Sequence, residues 1–146
     1  NGGYMSFLLA CQLSDRIAAV ASVTGSMTPQ TYTACNPSHP TPVLQIHGTA
    51  DGTVPYAGSP TWTYGIEDVL AYWVSYNNCD ASPTVTAIEN TSTTDGSTAD
   101  HFLYANGDNG VTTEDVKIYD GVHDWPGVWG NMDIHASIEV CKFFSK

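Results

Sequence analysis

The spacing of apolar positions along the chain predicts an alternation of strands and helices. A run of β-branched residues and alanine near 17–23 is typical of a parallel strand buried on both faces, and the short apolar run that opens 43–48 predicts the next buried strand. Between 62 and 77 apolar residues return every three or four positions, which indicates an amphipathic helix. The remaining predicted elements are helices over 4–13 and 133–144, a third parallel strand near 116–121, and strand-like runs at 84–88 and 101–105. The pattern favours an α/β fold with a mainly parallel sheet flanked by helices.

Polar and turn-forming segments separate these elements. Residues 28–42 are rich in Pro, Thr, Ser and Asn and predict an irregular surface loop, and residues 90–100 predict an exposed loop. The segment Asn106-Gly107-Asp108-Asn109-Gly110 indicates a tight connection between two strands. We therefore expect an antiparallel excursion in this part of the sheet.

Length and charge narrow the functional classes. The chain has 146 residues, which is enough for one domain and shows no linker or repeat. It carries 4 Lys and Arg against 15 Asp and Glu, a net charge of −11. Without a basic cluster that could neutralise phosphates, nucleic acid is not expected as a partner. No run reaches the roughly 18 to 20 apolar residues that cross a bilayer, so no membrane interaction is expected either.

Four cysteines bear on the cellular compartment. Cys11, Cys35, Cys79 and Cys141 are too far apart for a C-x-x-C metal or redox motif, so neither a metal site nor a cofactor is predicted. Two disulfides with any of three pairings would suit an acidic, lysine-poor chain that is secreted or periplasmic. Four reduced core thiols are the alternative. Cys11 falls in a predicted helix and is the least certain partner.

Three segments carry the residue types of nucleophilic catalysis. The sequence N-G-G-Y-M at 1–5 is similar to the second half of a G-x-S-x-G turn, whose serine would stand just before Asn1. A buried strand then leads into H-G-T-A-D-G-T-V-P-Y at 47–56, which contains Asp51. A later strand leads into D-G-V-H-D-W-P-G at 120–127, which contains His123. The order serine, acid, histidine is that of the α/β-hydrolase triad.

These motifs together resemble the polyhydroxybutyrate-depolymerase and feruloyl-esterase-like α/β-hydrolases, which are secreted serine esterases. The resemblance covers nearly the whole chain and makes it the C-terminal half of a catalytic domain (1–146). It implies that Asp51 is the triad acid, that His123 is the general base, and that the backbone N–H of Asn1 is one oxyanion-hole donor. The serine, the strands before it and the second oxyanion donor would lie upstream. The strand near 17–23 would then have an exposed edge, through which another chain or copy could associate.

The histidine loop departs from the family pattern, which usually reads G-G-G-H-T-W-P-G. Val122 and Asp124 stand at two of the small or hydroxyl-bearing positions. A carboxylate beside the base either influences the charge state of His123 or lies in solvent.

Other residues compete for roles in the site. Of the remaining histidines, His47 is the main rival to His123, but a neutral imidazole bonded to backbone would support the acid loop, and we favour that structural role. Trp62 and Trp129 either line an acyl or aryl pocket or belong to the core. For Trp125 and Tyr56 we favour packing beneath the loops.

The sequence therefore predicts a carboxylic ester hydrolase that acts through an acyl-serine intermediate on short-chain, aryl or polyester substrates. One alternative is a catalytically incomplete binding or structural fragment. Another is a different hydrolase class on the same scaffold, such as a dienelactone hydrolase or a peptidase.

Overall fold

A five-stranded mixed sheet forms the centre of the computed structural model, which describes residues 1–146. Its strands are β1 (Val20–Val23), β2 (Val43–Gly48), β3 (Thr84–Ala87), β4 (Thr98–Tyr104) and β5 (Thr113–Tyr119), in the order β1-β2-β5-β4-β3. Its α-helices are α1 (Gly2–Gln12), α2 (Pro29–Ala34), α3 (Ile66–Tyr76) and α4 (Ala136–Phe144). None of these helices is long and apolar enough to cross a membrane. The molecule is an α/β fold, as the sequence predicts.

The sheet divides into a parallel and an antiparallel half. β1 pairs with β2 and β2 pairs with β5 in parallel, whereas β5, β4 and β3 pair antiparallel. The three predicted parallel strands and the antiparallel excursion are thus confirmed, but the sheet is mixed rather than mainly parallel. The excursion turns through Asn106 and Asn109, both of which have the positive φ values that asparagine tolerates well.

Several predicted boundaries were wrong, including the starts of β5 at Thr113, α3 at Ile66 and α4 at Ala136. β1 begins at Val20 rather than near residue 17, because residues 14–16 form a 3₁₀ turn. β4 begins at Thr98, inside the predicted loop 90–100, because its first residues pair with the end of β5. The predicted irregular loop at 28–42 contains α2, whose first turn is capped by the Thr28 hydroxyl, which accepts a hydrogen bond from Thr31 N–H at 3.1 Å.

The sheet is covered on both faces by apolar side chains. On one face α1 and α3 bury Phe7 and Trp73, whose rings stack with centroids 6.3 Å apart, against Val20 and Val43. On the other face α4 packs over the remaining apolar positions of the central strands, which are Leu44, Ile46, Val116 and Ile118. Because β2 is buried at all six positions, it can supply side chains to both layers.

Helix α1 lies unusually close to the loop after β1. A Cβ on Gly3 would come within 2.7 Å of Gly25 Cα, so both positions need the absence of a side chain. This contact holds the N-terminus of α1 near the carboxyl end of the parallel strands.

The strand β1 forms one edge of the sheet, as predicted, since it pairs only with β2. A groove of about 580 Å³ runs beside it between α1 and α4. The groove is lined on its apolar side by residues of β1 and both helices, including Leu9, Ala21, Val23, Val140 and Phe144.

One disulfide, between Cys11 and Cys35, ties α1 to the end of α2. Cys79 and Cys141 are free thiols, so the prediction of two disulfides was wrong. Cys11 is one of the bonded pair although it lies in a helix, because the helical face that carries it packs on α2 rather than only on the sheet.

Replacing both Cys11 and Cys35 by alanine is expected to lower the free energy of unfolding by about 3 kcal/mol. The bond closes a loop with a sequence separation of 24 residues, and releasing it restores entropy to the unfolded chain. Urea unfolding followed by tryptophan fluorescence would measure the change. The exposed Cys141→Ala substitution is the control, and an equal loss in that variant would contradict the prediction.

Candidate active site

The acid and histidine loops meet at the carboxyl edge of the parallel strands. Asp51 follows β2 and His123 follows β5, and these two strands are neighbours in the sheet. Loops at the carboxyl ends of adjacent parallel strands converge at one edge. The His123 Nδ1 lies 2.9 Å from Asp51 Oδ2, which is the contact that the sequence predicts for these side chains.

Backbone contacts lock the two loops together. Ala50 N–H donates to the Gly121 carbonyl at 2.9 Å, and Asp120 N–H donates to Thr49 Oγ1 at 2.9 Å. A Cβ on Gly48 would come within 2.8 Å of the Val122 carbonyl oxygen, so this position requires glycine for close approach. The spacing between acid and imidazole is therefore set by backbone rather than by mobile side chains.

The Asp51 carboxylate is buried and has partners on both oxygens. Oδ1 accepts hydrogen bonds from the N–H groups of Thr53 and Val54, each at 2.8 Å. Oδ2 faces His123 and also lies 3.3 Å from His47 Nε2. Asp51 is only 4% exposed, so its interaction with His123 is little screened by water.

The imidazole of His123 is buried on one side and open on the other. Its side chain is 41% exposed, and its Nδ1 is the nitrogen that faces the buried carboxylate. A hydrogen bond from Nδ1–H to Asp51 leaves Nε2 as the nitrogen available for proton transfer. The same groove is lined by His123, by Asn1 and by the first two residues of α1, Gly2 and Gly3.

His47 is completely buried behind this pair. Its Nε2 lies 2.9 Å from the Val54 carbonyl oxygen, which is the structural arrangement that the sequence favours for this residue. Burial lowers the pKa of His47, so the ring stays neutral. Tyr56 packs edge-on against the ring with centroids 6.0 Å apart.

Asp124 does not lie in solvent. It is 6% exposed, and its Oδ2 is buried without a hydrogen-bond partner. Burial raises its pKa. Gly130, at φ +71°, makes room for this carboxyl, because a Cβ there would overlap it. The solvent alternative considered from the sequence was therefore wrong.

The structure separates the predicted pocket tryptophans from the groove. Trp62 and Trp129 are exposed, Trp62 lies beside Tyr4 with centroids 6.4 Å apart, and neither lines the groove that holds His123. Trp125 does line it, although the sequence favours packing for that residue. Trp125 stands two residues after His123 in the same loop, and this proximity in the sequence was the signal that it lines the groove.

The other three histidines make no hydrogen bond to the Asp51–His123 pair. His39 bonds the backbone carbonyls of Ser14 and Pro40, and His135 precedes α4. His101 Nε2 lies 2.9 Å from Glu114 Oε2. Burial raises the pKa of Glu114, but hydrogen bonds with His101, Lys146 and Thr112 outweigh it and lower the pKa to about 2. No group of three or more His, Cys, Asp or Glu side chains is arranged to hold a metal ion.

Comparison with known proteins points to esterases. The chain is 32% identical over 92 residues to "Feruloyl esterase B" of Piromyces equi, a match that covers 56% of this chain and 17% of that protein. It is 27% identical over 141 residues to "Putative esterase NocK" of Nocardia uniformis subsp. tsuyamanensis, covering 87% of this chain and 40% of that protein. The chain thus spans less than half the length of either relative. No protein-family profile matches it.

Proposed function

We propose that the chain is the C-terminal part of an α/β-hydrolase domain that cleaves carboxylic esters through an acyl-serine intermediate. The serine would stand immediately upstream of Asn1, with Asp51 as the triad acid and His123 as the general base. The observation that carries the proposal is the 2.9 Å contact between His123 Nδ1 and the buried Asp51 carboxylate, beside the start of α1.

The chemistry follows from this arrangement. His123 Nε2 would take the proton of the serine hydroxyl as the oxygen attacks the ester carbonyl, and would return it to the leaving alcohol. Asp51 would stabilise the imidazolium that forms in this step. A water activated by the same nitrogen would then hydrolyse the acyl-serine. Each step moves one proton through Nε2, and neither step needs a cofactor.

The N-terminus of α1 would stabilise the oxyanion. Free N–H groups and the positive end of the helix dipole favour negative charge at this point. The backbone N–H of Asn1 directly follows the proposed serine and would be one donor. The second donor would come from upstream residues.

Both relatives described above are named as esterases, which favours ester hydrolysis over the peptidase alternative. Trp125 lines the groove beside His123, which suits an uncharged acyl or aryl group. The Cys11–Cys35 disulfide and the acidic composition support a secreted or periplasmic location. Short-chain, feruloyl and polyester substrates form the panel to compare.

The proposal is tested by adding the upstream half with its serine. The 146-residue chain alone is expected to hydrolyse p-nitrophenyl acetate no faster than its His123→Ala variant, because none of its own serines has a nucleophile-elbow setting. The extended protein is expected to show turnover that depends on His123. Strong activity of the 146-residue chain, abolished by a serine-directed phosphonate, would place the nucleophile elsewhere and contradict the proposal.

A further inference from the structure

A row of buried polar side chains crosses the three parallel strands of the sheet. Ser22, Gln45 and Asp115 are in register on the adjacent strands β1, β2 and β5, and so point to the same face. All three are at most 2% exposed. Each leaves one side-chain oxygen buried without a hydrogen-bond partner, which is costly in a protein interior.

The orientation of Gln45 sets the tautomer of His47. Gln45 Nε2 lies 3.0 Å from the Gly25 carbonyl oxygen and 3.0 Å from His47 Nδ1. Since a carbonyl can only accept, the nitrogen of the amide must face Gly25, and its second hydrogen is donated to His47 Nδ1. The proton of the neutral imidazole is therefore on Nε2, which donates to the Val54 carbonyl and lies 3.3 Å from Asp51 Oδ2.

This orientation leaves the Gln45 Oε1 in need of a donor. The Ser22 hydroxyl, in register on β1, makes no hydrogen bond, so the remaining neighbour is Asp115 on β5, which is a donor only as a carboxylic acid. Burial raises the pKa of Asp115 to about 8, so the acid form dominates at neutral pH.

The groups around Asp115 include one cation. Glu67 of α3 raises the pKa of Asp115, and Lys117 lowers it. Lys117 Nζ lies 2.9 Å from Glu67 Oε1, so its charge is largely taken by that carboxylate. Tyr56 and Tyr104, whose own pKa values are raised partly by the Asp115 charge, complete the surroundings.

We propose that Asp115, Gln45 and His47 form a buried hydrogen-bond relay that positions Asp51 for the reaction. Asp115 donates its acid proton to Gln45 Oε1, Gln45 donates to His47 Nδ1, and the His47 Nε2–H faces the Val54 carbonyl and the Asp51 carboxylate. The three are positioning residues, and their functional meaning rests on the proposed function. The relay itself is a property of the folded 146-residue chain.

Nitrogen-15 NMR of the histidine rings tests the relay without any catalytic assay. His47 is expected to be neutral with its proton on Nε2, and its Nδ1 shift is expected to change with an inflection near pH 8 as Asp115 ionises. In Asp115→Asn the amide still donates to Gln45, so the inflection should vanish while the tautomer stays. An Nδ1-protonated His47, or an inflection that persists in Asp115→Asn, would overturn the relay.

Substitution of His47 tests its link to Asp51. In His47→Leu we expect the Nδ1 proton of His123 to exchange with water about tenfold faster, because Asp51 loses a neighbouring N–H dipole. His47→Gln retains a donor and should exchange as the wild type does, and His39→Gln, at a half-buried histidine outside the relay, is the control. Equal exchange in all four proteins would overturn the positioning role.

The outcomes of the two proposals are separable. If the NMR results are as expected but the serine-containing protein shows no turnover, the relay is supported and the proposed ester hydrolysis is contradicted. If the serine-containing protein shows turnover but the NMR results differ from those expected, ester hydrolysis is supported and the relay is contradicted.

Discussion

Replacing His123 by alanine in the protein extended upstream to its serine is expected to lower kcat for ester hydrolysis on the order of 10⁶-fold, by analogy with serine-protease knockouts. Its Nε2 is the group on the open side of the Asp51–His123 pair, and without it the serine hydroxyl has no base. Asp51→Asn should cost less, about 10⁴-fold, because the imidazole remains but loses its tautomer control. Steady-state kinetics on p-nitrophenyl acetate would measure both.

The variant that combines Asp51→Asn with His123→Ala tests whether the two residues act together. If both residues act through one proton transfer, the variant lacking both should be no slower than His123→Ala alone, since the losses are not additive. His135→Ala removes an exposed histidine that is outside the Asp51–His123 pair and is the matched control. Additive losses, or an equal loss in His135→Ala, would contradict the assignment of a triad.

At pH 8 the free energy of unfolding of the Asp115→Asn variant is expected to exceed that of the wild type by up to about 5 kcal/mol. The pKa of this fully buried carboxyl rises from 3.8 to about 8 on folding. Between these values the folded state keeps a proton that the unfolded chain has released, so stability falls as pH rises, by about 1.4 kcal/mol per pH unit. Asparagine has no proton to lose, and the difference should vanish near pH 4.

Urea unfolding from pH 4 to pH 9 would measure this effect. His47 acts in the opposite direction, because its lowered pKa makes stability rise with pH up to its ordinary value. That contribution is shared by both proteins and cancels in the comparison. Asp15→Asn, an exposed substitution, is the control. A constant difference between wild type and Asp115→Asn at all pH values would contradict a raised pKa.

The sequence was most informative where the local pattern of apolar residues matches the positions that the fold buries. The apolar run of β2 is buried at every position and was predicted almost to the residue. The loop motifs around Asp51 and His123 placed both side chains at one sheet edge, because neighbouring parallel strands share it. The antiparallel turn near Asn106 was also predictable, since asparagine and glycine mark positions with positive φ.

Features that depend on pairing across the chain were not predictable. The bond between Cys11 and Cys35 depends on how α1 packs on α2, which no spacing of cysteines reveals. Gln45 and Asp115 looked like ordinary polar residues near strands, and only the register of β2 with β5 places them side by side. The start of β4 at Thr98 was hidden because a polar strand is stabilised by its neighbours rather than by its own residues.

The division of the sheet into two halves has a consequence for the order of folding. Strands β3, β4 and β5 are consecutive and antiparallel, so their pairing closes short loops, whereas the β2–β5 pair joins Val43 to Thr113 across 70 residues. Loop-closure entropy delays such long-range contacts until local ones are in place. Asp51 and His123 follow the two strands of this late pair. The candidate site therefore assembles in the final, most entropically costly step, and a chain that stalls at the hairpin stage lacks it entirely.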